Sequence, residues 1–170
     1  MNIKHKFNNF NITLISILCS LAIVLSIIES ALPQTPFMPP GAKIGLSYIV
    51  VMYSAGTLGF SYSILISIIK SIFAGVTRGF TAFLMSSFGG ISSAIITTLL
   101  FKIKKINYIT IGIIGALIHN FFQLFVAMFL ASSVLLYYVP FIILFSLISG
   151  SITGFIFKIL SPFIQNIHNS

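Results

Sequence analysis

Apolar runs of about twenty residues recur along the whole chain, and this feature limits the possible folds more than any other. An α-helix of that length crosses the hydrocarbon core of a bilayer. The runs therefore predict an all-α integral membrane protein, whereas an outer-membrane barrel would show segments of about ten residues with alternating polarity. The composition agrees, because 58% of the residues are hydrophobic and 6% are charged, while ordinary soluble domains have about a quarter charged residues.

The polar breaks between these runs predict a six-transmembrane-helix bundle in one membrane domain, residues 1–170. The second and third spans are short, with a tight turn at Gly56, Gly59 and Ser61 between them. The expected spans are approximately residues 12–32, 44–58, 62–77, 80–101, 108–131 and 137–160. A basic start before an apolar run is also typical of a signal peptide, but the run is long for one and no A-x-A site follows. We therefore expect an uncleaved first helix.

The basic residues indicate how this bundle is oriented. Nine Lys and Arg residues against one acidic residue give a formal net charge of +8, and Lys and Arg beside membrane spans favour the cytoplasmic side. Six spans with a cytoplasmic N-terminus leave Lys43 and Arg78 outside. The cytoplasmic cations are then Lys4, Lys6, Lys102, Lys104, Lys105 and Lys158. We expect an N-in, C-in protein of the plasma membrane whose cations contact lipid headgroups rather than nucleic acid.

The connector between the first two spans is rich in proline. It contains Pro33, Pro36, Pro39 and Pro40. Proline fixes its own φ and disfavours helix at the preceding residue, so residues 33–43 are predicted to form a stiff, non-helical loop on the outer side. Glu29, the one acidic residue of the chain, precedes this loop, and Lys43 ends it. A stiff loop between an anion and a cation predicts a ligand site beneath it.

Ionisable and amide side chains at membrane depth extend this predicted site, because such residues are expensive there and indicate function. Lys70 lies near the middle of the third span, and a His-Asn-x-x-Gln group lies in the fifth. The expected substrate-binding residues are Glu29, Lys43, Lys70, Arg78, His119, Asn120 and Gln123. Since one Glu neutralises one of three cations, the ligand is expected to carry a carboxylate or phosphate. The alternatives are cations that extend to the interface and a purely structural hydrogen-bond cluster on the fifth span.

Small residues spaced four apart predict where helices approach closely, because this spacing places them on one helix face. The fifth and sixth spans carry Gly112 and Ala116, and Ser146, Gly150 and Gly154, respectively. For these two spans we expect packing within the bundle. The first span carries Ala22, Ser26 and Ser30. There, two interpretations stay open: packing within the bundle, or a docking face for another membrane subunit.

The residues that are absent exclude most kinds of catalysis. The chain has no G-x-x-x-x-G-K-[ST] phosphate-binding loop. One Glu and no Asp cannot build the paired-carboxylate Mg²⁺ sites that process diphosphates. The single Cys19 can form neither an intramolecular disulfide nor a thiolate metal cluster. We therefore expect no catalytic residues, no metal and no cofactor, and a protein that is not an enzyme.

Three segments resemble the membrane family named both Gx transporter and heptaprenyl diphosphate synthase component I. They are LSIIESALP (25–33), PFMPPGAKIGLSYI (36–49) and GALIHNFFQL (115–124). The similarity covers roughly residues 16–158, and its specific elements are Gly41-x-Lys43-x-Gly45-Leu46 and His119-Asn120-x-x-Gln123. This family in turn is similar to the substrate-binding S components of energy-coupling-factor (ECF) transporters. In that pattern an Ala-x-x-x-Ala motif stands where this chain has Ala22-x-x-x-Ser26.

The resemblance implies the function of an S subunit in an ECF-type importer. Such a subunit would capture a small, vitamin-like, anionic solute beneath the 33–43 loop and dock on a transmembrane coupling subunit driven by an ATPase pair. The second family name implies an alternative, a noncatalytic membrane partner of an isoprenoid or quinone (heptaprenyl diphosphate) pathway enzyme. A third possibility is a small ion-coupled carrier that works as a dimer, for which Glu29 is the one candidate carboxylate.

Overall fold

The computed structural model describes residues 9–31, 45–103, 105–130 and 133–168, and within these ranges it contains helices and no strands. The elements in chain order are α1 (Asn9–Ala31), α2 (Tyr48–Thr57), α3 (Phe60–Arg78), α4 (Phe80–Phe101), α5 (Tyr108–Leu130), a 3-10 helix (Ser133–Tyr138) and α6 (Val139–His168). The prediction of an all-α protein is confirmed, and the expected fourth span coincides with α4.

Five segments are long and apolar enough to cross a membrane, namely α1, α3, α4, α5 and the stretch Leu135–Leu160 that includes most of α6. They support a multi-pass membrane protein. The second helix, α2, has 10 residues and is about 15 Å long, half of the roughly 30 Å hydrocarbon core. The predicted count of six spans is therefore not confirmed, because Gly45 has a left-handed φ of 95° and the helix begins only at Tyr48. The N-in, C-in orientation stays a prediction.

The short helix α2 begins inside the bundle rather than at its surface. Ser47, the residue before α2, accepts a hydrogen bond from Lys70 at 3.2 Å, and Lys70 lies about 15 Å along α3 from Phe60. From this depth α2 runs to the turn at Gly59, where α3 begins. Its inner face is completely buried, with Tyr48 and Met52 each 0% exposed. The start of α2 therefore forms part of the interior at the level of Lys70.

A one-residue turn joins α3 to α4 and defines one end of the bundle. Gly79, between the two helices, has a φ of 92°, a conformation that costs glycine little because it lacks a Cβ. Arg78 at the end of α3 thus lies beside the start of α4. The end of α1 lies at the same end of the bundle, because Glu29 and Arg78 line one cavity. We call this the cavity end.

Three glycines bring α5 and α6 into close contact. A Cβ atom added to Gly112 would lie 2.8 Å from the backbone nitrogen of Gly154, and one added to Gly150 would lie 2.5 Å from the Cα of Ile113. Neither position has room for a larger side chain without separating the helices. The prediction that Gly112, Gly150 and Gly154 serve packing within the bundle is confirmed.

The last helix is longer than the sequence predicts. It continues through Pro162 to His168, whereas the predicted span ends near residue 160. Proline in a helix interior lacks the N–H that would bond to the carbonyl four residues earlier. In α6 the helix continues with that bond missing, so Pro162 does not mark the end of the helix.

Candidate ligand-binding site

Glu29 connects the end of α1 to the residues that precede α2. Its Oε1 accepts a hydrogen bond from the backbone N–H of Gly45 and another, at 3.1 Å, from that of Leu46. Successive backbone amides in a turn form such a concave site for an anion. The side chain is 6% exposed. One oxygen of this buried carboxylate therefore has a structural role, and the other, Oε2, has no hydrogen-bond partner within the described residues.

The two cations of α3 lie near this carboxylate. Lys70 is 2% exposed, and its Nζ donates to the Ser47 hydroxyl at 3.2 Å. Arg78 lies two turns further along α3, about 12 Å by helical rise, and is half-buried. Both cations interact electrostatically with Glu29. The hydrogen bond of Lys70 is to a neutral group and adds no negative charge. Because α3 carries two cations, its positive charge exceeds what one Glu29 carboxylate can balance.

His119 and Gln123 of α5 form the opposite wall through a defined hydrogen-bond chain. The Ser93 hydroxyl of α4 donates to the Gly90 carbonyl at 2.9 Å and lies 3.3 Å from Nδ1 of His119. With that hydroxyl proton on the Gly90 carbonyl, Nδ1 carries the proton that Ser93 accepts. In a neutral imidazole Nε2 is then an acceptor, and Gln123 Nε2 donates to it at 2.9 Å.

These groups line one narrow, partly enclosed cavity at the cavity end of the bundle. Its ionisable and amide lining consists of Glu29, Lys70, Arg78, His119 and Gln123. The walls come from α1, α3, α4, α5 and the turn before α2. In such a confined, largely buried space charge interactions are stronger than in water.

The structure brings together five of the seven substrate-binding residues expected from the sequence. Asn120 is buried but does not line the cavity; its Nδ2 donates instead to the Ser146 hydroxyl of α6 at 2.8 Å. This residue points to the neighbouring helix because it follows His119 by one position, which is about 100° around the helix axis. Lys43 and the 33–43 loop lie outside the described residues.

Sequence reasoning missed the neutral residues of the cavity. Ser47 and Ser86 add hydroxyl groups, and Ala82 and Met85 add apolar surface. The Ser86 hydroxyl also forms a hydrogen bond with the Ser71 hydroxyl at 3.2 Å. The available signal was the frequency of serine in spans three and four, but serine is common at helix contacts in membranes and does not by itself indicate a ligand.

The small residues of the first span differ in where they lie. Ala22 is 0% exposed and packs with Leu18, Val50 and Ile66. Ser26 is 4% exposed and lines the cavity, while Ser30 is on the exposed side. The burial of Ala22 and Ser26 within their own chain favours the packing interpretation for these two positions over a docking face.

The described residues contain no group of three or more His, Cys, Asp or Glu side chains that could hold a metal ion. His119 has amide and hydroxyl neighbours, and Glu29 faces two cations. What this arrangement can do is bind a small charged group by hydrogen bonds and ion pairing. It offers no pair of carboxylates to position Mg²⁺ and no activated nucleophile.

Comparison with known proteins gives the family of the chain. No curated protein and no solved structure matches it. The model of the family described as heptaprenyl diphosphate synthase component I matches residues 18–160, which is most of the chain and includes every residue of the cavity. The chain therefore belongs to the heptaprenyl diphosphate synthase component I family.

Proposed function

We propose that this chain is a noncatalytic membrane component of the prenyl diphosphate pathway that its family name indicates, and that it binds a small anionic ligand in the cavity. The observation that carries this proposal is the pair of cations, Lys70 and Arg78, facing one carboxylate in a shared, narrow space. An anion held there would balance the excess positive charge. The partner would be a separate catalytic component.

The ligand is proposed to be anionic because Lys70 has no opposite charge of its own to balance it. A lysine buried to 2% exposure at membrane depth requires compensation by an opposite charge. Glu29 is shared between two cations and two backbone amides. A ligand carboxylate or phosphate supplies the missing charge, and Arg78 adds a planar donor group suited to either anion.

A noncatalytic role is supported by the scarcity of acidic residues in the chain. Prenyl transfer from a diphosphate uses Mg²⁺ held by carboxylates, and the whole sequence contains one Glu and no Asp. The catalytic carboxylates would then belong to the partner. This chain would contribute membrane attachment and ligand binding.

The first prediction tests the binding role of Lys70 with inorganic pyrophosphate as the probe. The Lys70→Met variant should lose at least tenfold in pyrophosphate affinity, because Met preserves the apolar length of the side chain and removes the charge. Without ligand, its thermal unfolding temperature should equal or exceed that of the unmodified protein, since an uncompensated buried cation is removed. Binding is measured by calorimetry on the purified protein in detergent.

The matched control is Lys102→Met, which removes an exposed cation at the opposite end of α4. It should leave pyrophosphate affinity unchanged. If Lys70→Met instead lowers the unfolding temperature of the ligand-free protein by several degrees, Lys70 is half of a structural ion pair, whose disruption costs about 3–5 kcal/mol. That result would remove the main support for the anion site.

A second candidate function is the substrate-binding subunit of an ECF-type importer. It is favoured by the position of the cavity, which lies at one end of the bundle where α1 and α3 end, so that a solute could enter from one side of the membrane. Co-purification distinguishes the two candidates. A soluble prenyl diphosphate synthase recovered with the tagged chain supports the first, whereas a coupling membrane subunit with two ATPases supports the second.

A further inference from the structure

The cavity contains two buried oxygen atoms that need hydrogen-bond donors. Glu29 Oε2 and Gln123 Oε1 have no hydrogen-bond partner within the described residues, and each side chain is 6% exposed. Both residues line the cavity. A buried acceptor without a donor is costly, so these two atoms mark positions where a bound molecule can contribute stabilising contacts.

The orientation of the Gln123 amide is coupled to the tautomer of His119. The Ser93 hydroxyl donates to the Gly90 carbonyl and so accepts from His119 Nδ1. His119 Nε2 is therefore an acceptor and requires the NH₂ group of Gln123, at 2.9 Å. Rotating the amide by 180° would place two acceptors against each other. With the His119 proton on Nδ1, Gln123 presents an oxygen, and not an NH₂ group, as its remaining hydrogen-bonding atom.

The cations and the acceptors occupy different walls. Lys70 and Arg78 come from α3, whereas Glu29 comes from α1 and Gln123 from α5. A ligand that is only an anion would satisfy α3 and leave both acceptors unpaired or facing its negative charge. A ligand that joins an anionic group to an N–H or O–H donor can pair with the cations of α3 and donate to the acceptor oxygens at the same time.

We propose that the cavity recognises a small molecule in which an anionic group is joined by a short linker to an amino or hydroxyl donor, such as an aminoalkyl phosphate or an amino carboxylate. This rests on the proposed function only in that the same cavity binds an anion. A prenyl diphosphate with an apolar tail has no N–H or O–H donor group of this kind. The inference therefore distinguishes an aminoalkyl phosphate from a prenyl diphosphate, although both are anions.

The test uses two pairs of probes in which trimethylation of the amine removes its N–H donors and adds three methyl groups. O-phosphoethanolamine is compared with phosphocholine, and β-alanine with its N-trimethyl form, on the purified full-length protein. Both members of a pair carry the same charges, but the trimethylated member has no N–H group. In at least one pair the amine should bind about tenfold more tightly, the ratio that corresponds to one or two hydrogen bonds.

The Gln123→Leu variant tests whether the preference arises in this cavity. The affinity ratio within the preferred pair should fall toward one, and a general loss of affinity cancels in that ratio. Equal binding within both pairs, or a preference that persists in Gln123→Leu, would overturn the inference. If inorganic pyrophosphate still binds and Lys70→Met abolishes its binding, the proposed anion site survives that failure. If no probe and no pyrophosphate bind, both proposals fail together.

The same chemistry is present in a free solute and in a phosphatidylethanolamine headgroup, and two preparations distinguish these sources. The protein is reconstituted in nanodiscs of phosphatidylcholine with or without phosphatidylethanolamine. If the source is a free solute, O-phosphoethanolamine or β-alanine raises the unfolding temperature equally in both. If it is the lipid, phosphatidylethanolamine itself raises the unfolding temperature and abolishes the effect of the free probe. Either result supports the inference, whereas no response in any preparation contradicts it.

Discussion

At the scale of single residues, one carboxylate performs two tasks. Glu29 holds the backbone of Gly45 and Leu46 through one oxygen and faces Lys70 and Arg78 across the cavity. The sequence predicted Glu29 as a ligand-binding residue from its charge and from its position before the proline-rich loop. It could not reveal the contact to the residues before α2, because that contact depends on the left-handed conformation of Gly45, which brings two amides to one point.

The structural task of Glu29 gives a prediction about stability. Glu29→Ala leaves the N–H groups of Gly45 and Leu46 without their acceptor and should lower the free energy of unfolding by about 1–3 kcal/mol more than Glu29→Gln does. The Gln side chain keeps a carbonyl oxygen that can accept both bonds, and both variants lose the same charge. Thermal unfolding of the two purified variants measures the difference. Equal stability of the two variants would show that the contact with the amides contributes little.

At the scale of helices, the contact between α5 and α6 and the shortness of α2 together shape the interior. The close approach at Gly112 and Gly150 holds α5 in place, and α5 carries His119 and Gln123 into the cavity. The half-length α2 leaves its preceding turn inside the bundle, where Ser47 reaches Lys70. The spacing of small residues predicted the first of these features, since it depends on a regular helical repeat. The second depends on where a helix begins, which an unbroken apolar run over residues 44–58 does not show.

The contact between α5 and α6 predicts that a methyl group added at Gly112 lowers stability more than one added at Gly90. Gly112→Ala should lower the free energy of unfolding by about 1–3 kcal/mol, because the new Cβ would lie 2.8 Å from a backbone nitrogen of Gly154, which cannot rotate away. The control is Gly90→Ala, whose Cβ would lie 3.2 Å from the Ser67 Cβ. Both changes raise helix propensity equally. Thermal unfolding of a Gly112→Ala variant as stable as Gly90→Ala would contradict the importance of this contact.

At the scale of the whole molecule, the sequence predicted the class of protein and most of the ionisable lining of the cavity, whereas its sixth crossing, over residues 44–58, is not confirmed. Hydropathy identified the segments that became α1, α3, α4, α5 and most of α6, because each is a continuous apolar helix of membrane length. Charge identified Lys70 and Arg78, because ionisable groups are rare at this depth. Neutral residues such as Ser47 escaped notice, since nothing in their identity separates a cavity wall from an ordinary helix contact.

The orientation of the bundle is the last prediction, and it is independent of whether five or six segments cross the membrane. Thr81 and Lys102 lie near opposite ends of α4, about 32 Å apart along the helix, and both are exposed. The basic residues near Lys102 predict that this end is cytoplasmic and that the cavity end, near Thr81, faces outward. In a Cys19→Ser background, a membrane-impermeant maleimide should label Thr81→Cys in intact cells and Lys102→Cys only after permeabilisation. The reverse pattern would place the cavity end in the cytoplasm. That orientation would favour delivery of a ligand from a cytoplasmic enzyme over capture of a solute from outside.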